Sequence, residues 1–332
     1  MKAIIPVAGA GTRLRPHTYT QPKPLIPVAG KPIISHIVDT LRGSGIREFV
    51  FVIGYLGEKI RDFLKETYGS EDIEMSFIQQ EQREGLGHAV WTARHSFSKE
   101  KEILIVVGDI IFEADLASVL ASPCSMLGIR KVEDPREFGV VEMSEDDDFV
   151  KKLIEKPRIP KSDLAITGIY KINDIPMLLD CLQINISNDV RTHGEIQLTD
   201  ALDNMIEQGC KFRTFNVDIW FDCGKKEVLL ETNVMLLDKQ PYQETPVFEN
   251  TIFIHPVSIG DNCKISNSII GPHVTVGKGS SIDSGIIKNS IIGSFASLNE
   301  VVLQQSIIGN DTAVHGLRQS LNLGDNTEID FR

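Results

Sequence analysis

Two short segments near the start of the chain hold residue types suited to handling phosphate. Gly9-Ala10-Gly11-Thr12-Arg13-Leu14-Arg15-Pro16 follows directly on a β-prone run, Lys2–Val7. A dinucleotide-binding fingerprint would need a glycine where Leu14 stands, and a P-loop would need Gly-Lys-Ser/Thr, so neither standard reading fits. What remains is a glycine-rich turn that brings backbone N–H groups up to phosphate, with an arginine to balance the charge. The next segment, Gln21-Pro22-Lys23-Pro24-Leu25-Ile26-Pro27, sets a lysine between two prolines. Proline fixes the backbone on either side, so this ammonium is aimed rather than floppy. Asp109 is a further candidate, at the end of the apolar run Ile103–Val107.

These residues need elements to position them, and up to about residue 240 strand-like and helix-like pieces alternate. Pro32–Leu41 reads as a helix closed by Gly43-Ser44-Gly45, and Glu48–Ile53 as a buried strand. In Leu56–Lys65, the apolar residues Leu56, Ile60, Phe63 and Leu64 share one helical face. Ile73–Ile78 is strand-like, Gly87–Phe97 helix-like, and Ile103–Val107 a continuous apolar strand. Strands apolar on both faces, alternating with helices, predict an α/β domain with a Rossmann-like, mostly parallel sheet covered by helices. In such sheets ligands bind beyond the carboxyl ends of the strands. The glycine loop and Asp109 both fall at such ends.

From about Pro246 the period changes. Aliphatic-Gly pairs recur at Ile259-Gly260, Val276-Gly277, Ile292-Gly293, Ile308-Gly309 and Leu323-Gly324. Between and among them Ile265, Ile270, Val276, Ile282, Ile287, Ile292, Leu298, Leu303 and Ile308 keep a five-to-six-residue beat. That beat fits neither an α-helix nor an alternating sheet. It predicts a parallel β-helix whose coils each hold three short strands with an aliphatic pointing inward at each face. A sandwich would need longer strands. The predicted domains are therefore 1–240 and 246–332, joined through the helix-like Lys225–Leu237 and the polar Asp238–Thr245.

Of the 332 residues, 42% are hydrophobic, ample for a core, yet no apolar run approaches the roughly 18 residues of a membrane span. The opening Met1–Ile5 burst stops at Pro6, too short for a secretory signal, and reads as a first strand. Five scattered cysteines with no C-x-x-C pair argue against a disulfide framework or zinc site and fit a reducing, cytoplasmic compartment. A net charge of −12 argues against a nucleic-acid partner, because phosphate backbones recruit broad basic faces. A single nucleotide needs only a local cluster of cations and amides, so the charge leaves that open.

Gly-x-Gly-Thr-Arg-x-x-Pro followed by Pro-Lys-Pro resembles the signature of the sugar-1-phosphate nucleotidyltransferases, and glucose-1-phosphate thymidylyltransferases most of all. The likeness continues in order through Glu84-Gly85-Leu86-Gly87-His88-Ala89, Val107-Gly108-Asp109, Glu137–Val141, Glu155-Lys156-Pro157, Thr167–Tyr170, Gly194–Asp200 and Trp220-Phe221-Asp222-Cys223-Gly224. The tail resembles the left-handed β-helix of the longer members. The resemblance implies that Ala8, Gly9, Gly11, Thr12, Arg13, Gln80, Gly85 and Asp109 bind a nucleoside triphosphate. Arg13, Lys23 and Asp109 would serve catalysis, and Asp109 and Asp222 would hold Mg²⁺. Gly139, Glu155, Lys156, Ile166 and His193 would meet a sugar-1-phosphate, and Gln80 a pyrimidine edge. Hard Mg²⁺ prefers one or two carboxylates plus phosphate oxygens, in keeping with that set.

Two positions depart from the family: Ile110 stands where many relatives have asparagine, and His193 where close thymidylyltransferases have an arginine. The implied reaction is one in-line displacement on the α-phosphorus, since no Ser-His-Asp or Cys-His arrangement suggests a covalent intermediate. dTTP or UTP with glucose-1-phosphate is the leading pairing, with GTP and mannose-1-phosphate as an alternative. Two other readings are an acyltransferase in the β-helix, using His255, His273 or His315, and a non-catalytic homologue that senses nucleotide-sugar. The flat faces and edges of a β-helix suit association, so a homo-oligomer is expected.

Overall fold

A computed structural model describes residues 1–145, 148–241, 246–316 and 327. The chain divides into two compact units, Met1–Thr232 and Asn233–Arg332. The division falls inside the last helix, Lys226–Lys239, where the sequence reading set the domain bound at residue 240 and the join through Lys225–Leu237. Among the described residues no helix is long and apolar enough to cross a membrane.

In the first unit the strands are β1 (Lys2–Val7), β2 (Glu48–Ile53), β3 (Glu74–Gln79), β4 (Ile103–Val106), β5 (Ile110–Glu113), β6 (Ser125–Lys131), β7 (Gly139–Met143), β8 (Val150–Glu155), β9 (Leu164–Ile172), β10 (Phe212–Asn216) and β11 (Ile219–Asp222). The helices that matter for the site are α1 (Ile33–Gly43), α2 (Gly57–Tyr68), α3 (Leu86–Thr92), α4 (Arg94–Phe97), α5 (Leu116–Ala121), α6 (Ile175–Ser187), α7 (Leu198–Glu207) and α8 (Lys226–Lys239). The main sheet has nine strands in the order β8-β7-β9-β4-β1-β2-β3, with β6 branching from β9 and carrying β10.

One side of this sheet is parallel, since β1 pairs β2 and β4, and β2 pairs β3, in that sense. The other side is mixed: β9 runs antiparallel to β4, β6 and β7. β1 shows why the parallel strands read as unbroken apolar runs, for Ala3, Ile4 and Ile5 are all fully buried. α6 and α7 cover one face through Leu178, Cys181, Leu182, Leu198, Ala201, Leu202 and Met205, in a core shared with Ile4, Val50, Ile105 and Tyr170. Gly87–Phe97, expected as one helix, is two, with Ala93 between α3 and α4.

The second unit holds three parallel four-stranded sheets. In register, Ile265, Ile282 and Leu298 stack on one face, Ile270, Ile287 and Leu303 on the next, and Val276, Ile292 and Ile308 on the third. All nine belong to the apolar interior of the coil or pack against it. This is the architecture of a parallel β-helix, consistent with the left-handed form. Each corner carries left-handed residues in successive coils: Asn250, Asn267, Ser284 and Glu300 at one, Asn262, Gly279, Phe295 and Asp311 at another, and His273, Asn289 and Gln305 at the third. The glycine of the aliphatic-Gly repeat has a separate cause. A side chain on Gly260 would strike the backbone nitrogen of Lys278 at 2.6 Å, one on Gly277 that of Ser294 at 2.5 Å, and one on Gly293 that of Asn310 at 2.6 Å. The expected pair Leu323-Gly324 lies outside the described residues.

Candidate active site

At the carboxyl end of β1 the chain enters the glycine turn, with Gly11 in the left-handed region at φ 62°. A side chain there would lie 3.0 Å from the Thr18 methyl and 3.1 Å from the β-carbon of Lys23, so the bare glycine lets the lysine segment close in. Thr18 fastens the same turn by donating its hydroxyl to the Gly11 carbonyl at 2.8 Å. Pro22-Lys23-Pro24 then forms one short 3₁₀ turn, Lys23–Leu25, with Lys23 buried.

The Lys23 ammonium lies 2.6 Å from Asp109 Oδ2 and 3.4 Å from Asp222 Oδ1. The two aspartates stand 113 positions apart, and a two-stranded ribbon brings them together: β5 and β11 pair antiparallel with Ile110 opposite Asp222. The Cys223 amide, donating to the Asp109 carbonyl at 3.1 Å, closes the ribbon's end. Ile110 opens β5 with its side chain buried, a packing position of that ribbon. Arg13 comes within 3.5 Å of Asp222 Oδ2. It can do so because residue 224 is glycine: a β-carbon there would sit 2.6 Å from Arg13 Nη2.

Charge governs this cluster. Burial alone would push the Lys23 ammonium down, but Asp109 and Asp222 outweigh it and hold its pKa above the ordinary lysine value. Burial likewise opposes ionisation of Asp109, yet the Lys23 ammonium, with Arg13 beyond it, keeps that carboxyl below its usual value. Burial pushes the neighbouring Cys223 thiol up to about 12, so it is held as a neutral thiol. Among the described residues no group of three or more His, Cys, Asp or Glu side chains could hold a metal ion. The donor set is two carboxylates that already share one cation, which suits a hard divalent ion completing its shell with phosphate oxygens and water.

Ala8, Gly9, Gly11, Thr12, Arg13, Lys23, Gln80, Gly85 and Asp109 all line one cleft of about 770 Å³. Gln80 is only 3% exposed, and its amide nitrogen donates to the Gly85 carbonyl at 3.3 Å. The residues read as sugar-phosphate ligands form a second cluster and do not line that cavity. Glu155, at the end of β8, accepts from Thr199 Oγ1 at 2.7 Å, and a side chain on Gly139 would crowd both groups. Lys156 is exposed, in the left-handed region at φ 44°, with Nζ 3.6 Å from Glu155. His193 occupies a tight Thr192–Glu195 turn in which it and Gly194 both have positive φ, and its ring lies 3.3 Å from the Lys156 carbonyl. Ile166 departs from the expected role in its side chain, which is buried in the core and reaches the cluster only beside Gly139.

Three residues carry more of the geometry than the sequence reading gave them. Thr199 orients Glu155. Glu84 and His88 form a chain behind Gln80, in which His88 Nδ1 lies 2.9 Å from the Gln80 amide nitrogen and Nε2 lies 3.6 Å from Glu84. Their positions sit inside a quoted motif, but only the fold turns them toward Gln80.

The family model described as "Nucleotidyl transferase" matches residues 2–239. A glucose-1-phosphate thymidylyltransferase of Streptomyces griseus is 31% identical, over 96% of this chain and 90% of that protein. The bifunctional protein GlmU of Methanococcus maripaludis is 36% identical over 76% of this chain, which spans 59% of that protein's length. The solved structure of a UDP-glucose pyrophosphorylase complexed with UDP-glucose superposes with a TM-score of 0.63 at 25% identity, covering 72% of this chain and 99% of that one. The family match spans the whole unit that builds the cleft, and the likeness to the thymidylyltransferase runs on through the coil. The chain thus belongs to the nucleotidyl transferase family and, within it, to the sugar-1-phosphate nucleotidyltransferases.

Proposed function

We propose that this enzyme transfers a nucleoside monophosphate from dTTP or UTP to a sugar-1-phosphate, glucose-1-phosphate foremost, and releases pyrophosphate. The observation that carries the reading is the convergence of Lys23, Arg13, Asp109 and Asp222 at the glycine turn. Phosphoryl-type transfer depends mainly on positioning and on neutralising spread charge. In this cleft the backbone of Gly9–Thr12 lies against the triphosphate, and Arg13 and Lys23 offset the charge that grows on the departing pyrophosphate. Glu155 and the Gly139 backbone hold sugar hydroxyls, and Lys156 meets the sugar phosphate.

Members of the family generally use a divalent metal. Asp109 and Asp222 are the residues that would hold Mg²⁺ here, where it would neutralise phosphate charge. Lys23 then has a second task, because its ammonium keeps the Asp109 carboxylate ionised and, by lying against Asp222 as well, holds the two side chains close before substrate arrives.

The test is pyrophosphate release across dTTP, UTP, GTP and CTP against several sugar-1-phosphates. Turnover is expected with dTTP or UTP and glucose-1-phosphate. Lys23→Ala and Asp109→Ala should each lower kcat/KM by roughly 10²–10³-fold, the loss typical of one charge-stabilising contact in a dry site. No release from the intact enzyme under any pairing would overturn the proposal.

A further inference from the structure

The Gln80 amide is held in one orientation, and what holds it is a histidine outside the cleft lining. Gln80 Nε2 lies 3.3 Å from the Gly85 carbonyl oxygen and 2.9 Å from His88 Nδ1. A carbonyl only accepts, so the amide atom facing it must be the NH₂ end. Both of its hydrogens are then directed into the protein, one to Gly85 and one to His88. The side-chain oxygen is the polar atom left for the cleft that Gln80 lines.

For His88 to accept at Nδ1, its ring proton must sit on Nε2, the nitrogen 3.6 Å from Glu84 Oε2. Glu84 is itself tied down. Its other oxygen takes a hydrogen bond from Arg191 Nη2 at 3.0 Å, and its backbone carbonyl accepts from the Ile196 amide at 2.7 Å. Arg191 to Glu84, and His88 to Gln80 to Gly85, are thus runs of hydrogen bonds, and the 3.6 Å electrostatic contact between Glu84 and His88 Nε2 joins them in one order.

We propose that His88, steadied by Glu84, is a positioning residue for base choice: it turns the Gln80 amide so that the cleft meets an acceptor and no donor. This rests on the reading, given above, that Gln80 faces the base. An acceptor at that place suits a ring that carries N–H, as uracil and thymine do at N3. It opposes cytosine, whose N3 presents a lone pair. A buried polar group left facing its like discriminates far more strongly than a change of shape does. UTP and CTP, nearly the same in size, isolate this term.

The experiment measures kcat/KM for UTP and CTP, with Mg²⁺ and glucose-1-phosphate, in the full chain and in His88→Ala, His88→Asn and Gln80→Ala, with folding checked by thermal melting. The full chain should favour UTP strongly. In His88→Ala the UTP/CTP ratio should fall about tenfold, with KM for UTP moving more than kcat, and His88→Asn, whose side-chain oxygen can accept in place of Nδ1, should restore most of it. An unchanged ratio in folded His88→Ala, or an asparagine no better than alanine, would overturn the assignment. Gln80→Ala separates the two layers. If it abolishes selectivity while His88→Ala leaves it intact, only the positioning role fails; if it too changes nothing, the base-reading role fails and takes this one with it. A readout that needs no variant is the ¹⁵N spectrum of the histidine rings, where His88 should show the Nε2–H tautomer, and an Nδ1–H tautomer would overturn the proposal.

Discussion

Lys23 and Asp109 stabilise each other, and their shifts set a pH window. Asp109 has a folded pKa below the ordinary carboxylate value, so its share of stability is present above that value and lost as pH falls through the folded one. Lys23 has a folded pKa above the ordinary lysine value, so its share is present below that value and lost only as pH rises through the folded one. In chelator-treated enzyme, melting temperature should hold a plateau across neutral pH and drop in acid. In Lys23→Met the neutral plateau should be lower and the acid drop shallower, because Asp109, no longer held below its ordinary value, loses nothing by taking up a proton. A melting curve whose plateau and acid limb do not change would show that the pair contributes nothing to the fold. At this scale the sequence was legible where chemistry leaves a local mark: Gly11, Arg13 and the proline-bracketed Lys23 stood out by type and spacing. His88 did not, because its partner lies eight residues away across a turn and its effect passes through another side chain.

Strand direction is where the elements differed most from expectation. Apolar residues on both faces mark a buried strand, but the pattern is the same whichever way the strand runs, so the antiparallel β9 was invisible beside the parallel β1 and β4. β9 also changes register between Ile166 and Tyr170, where Gly168 sits at φ 87°. A side chain at 168 would come within 2.3 Å of Val107 Cγ2, on the loop that leads to Asp109. Gly168→Ala should therefore destabilise the first unit by roughly 2 kcal/mol or more, from the left-handed backbone and the crowding together. Urea unfolding followed by tryptophan fluorescence checks this. The β-helix was easier to read, since a five-to-six-residue beat has no competing explanation and every aliphatic in it found the interior.

Over the whole molecule the two units use α8 differently along its length. Leu229 and Thr232 are fully buried in the part that belongs to the first unit, and Asn233 is buried in the part that belongs to the second. Within the second unit Thr275 donates to Asn233 Oδ1 at 2.7 Å, both side chains about 1% exposed, and Asp238 lies 2.8 Å from His273 Nε2. The sequence reading named this stretch as the join, but its residues carry no mark of the turn at which one unit gives way to the other. Thr275→Val keeps the shape and removes a buried hydrogen bond, an effect of about 1 kcal/mol. Calorimetry should show that loss in the transition of the β-helix, while the transition that rises with added UTP stays in place. A fall in both would mean the units melt as one.

The column formed by Gly260, Gly277 and Gly293 gives the coil a direction of vulnerability. Each of the three is bare because the rung after it, never the one before, fills the space a side chain would take. A fault introduced at 260 is therefore felt first at Lys278 and from there toward the carboxyl terminus, like a misaligned tooth in a zip. Errors early in the column should open more of the coil than identical errors late in it, so tolerance to substitution should grade along the tail by position alone.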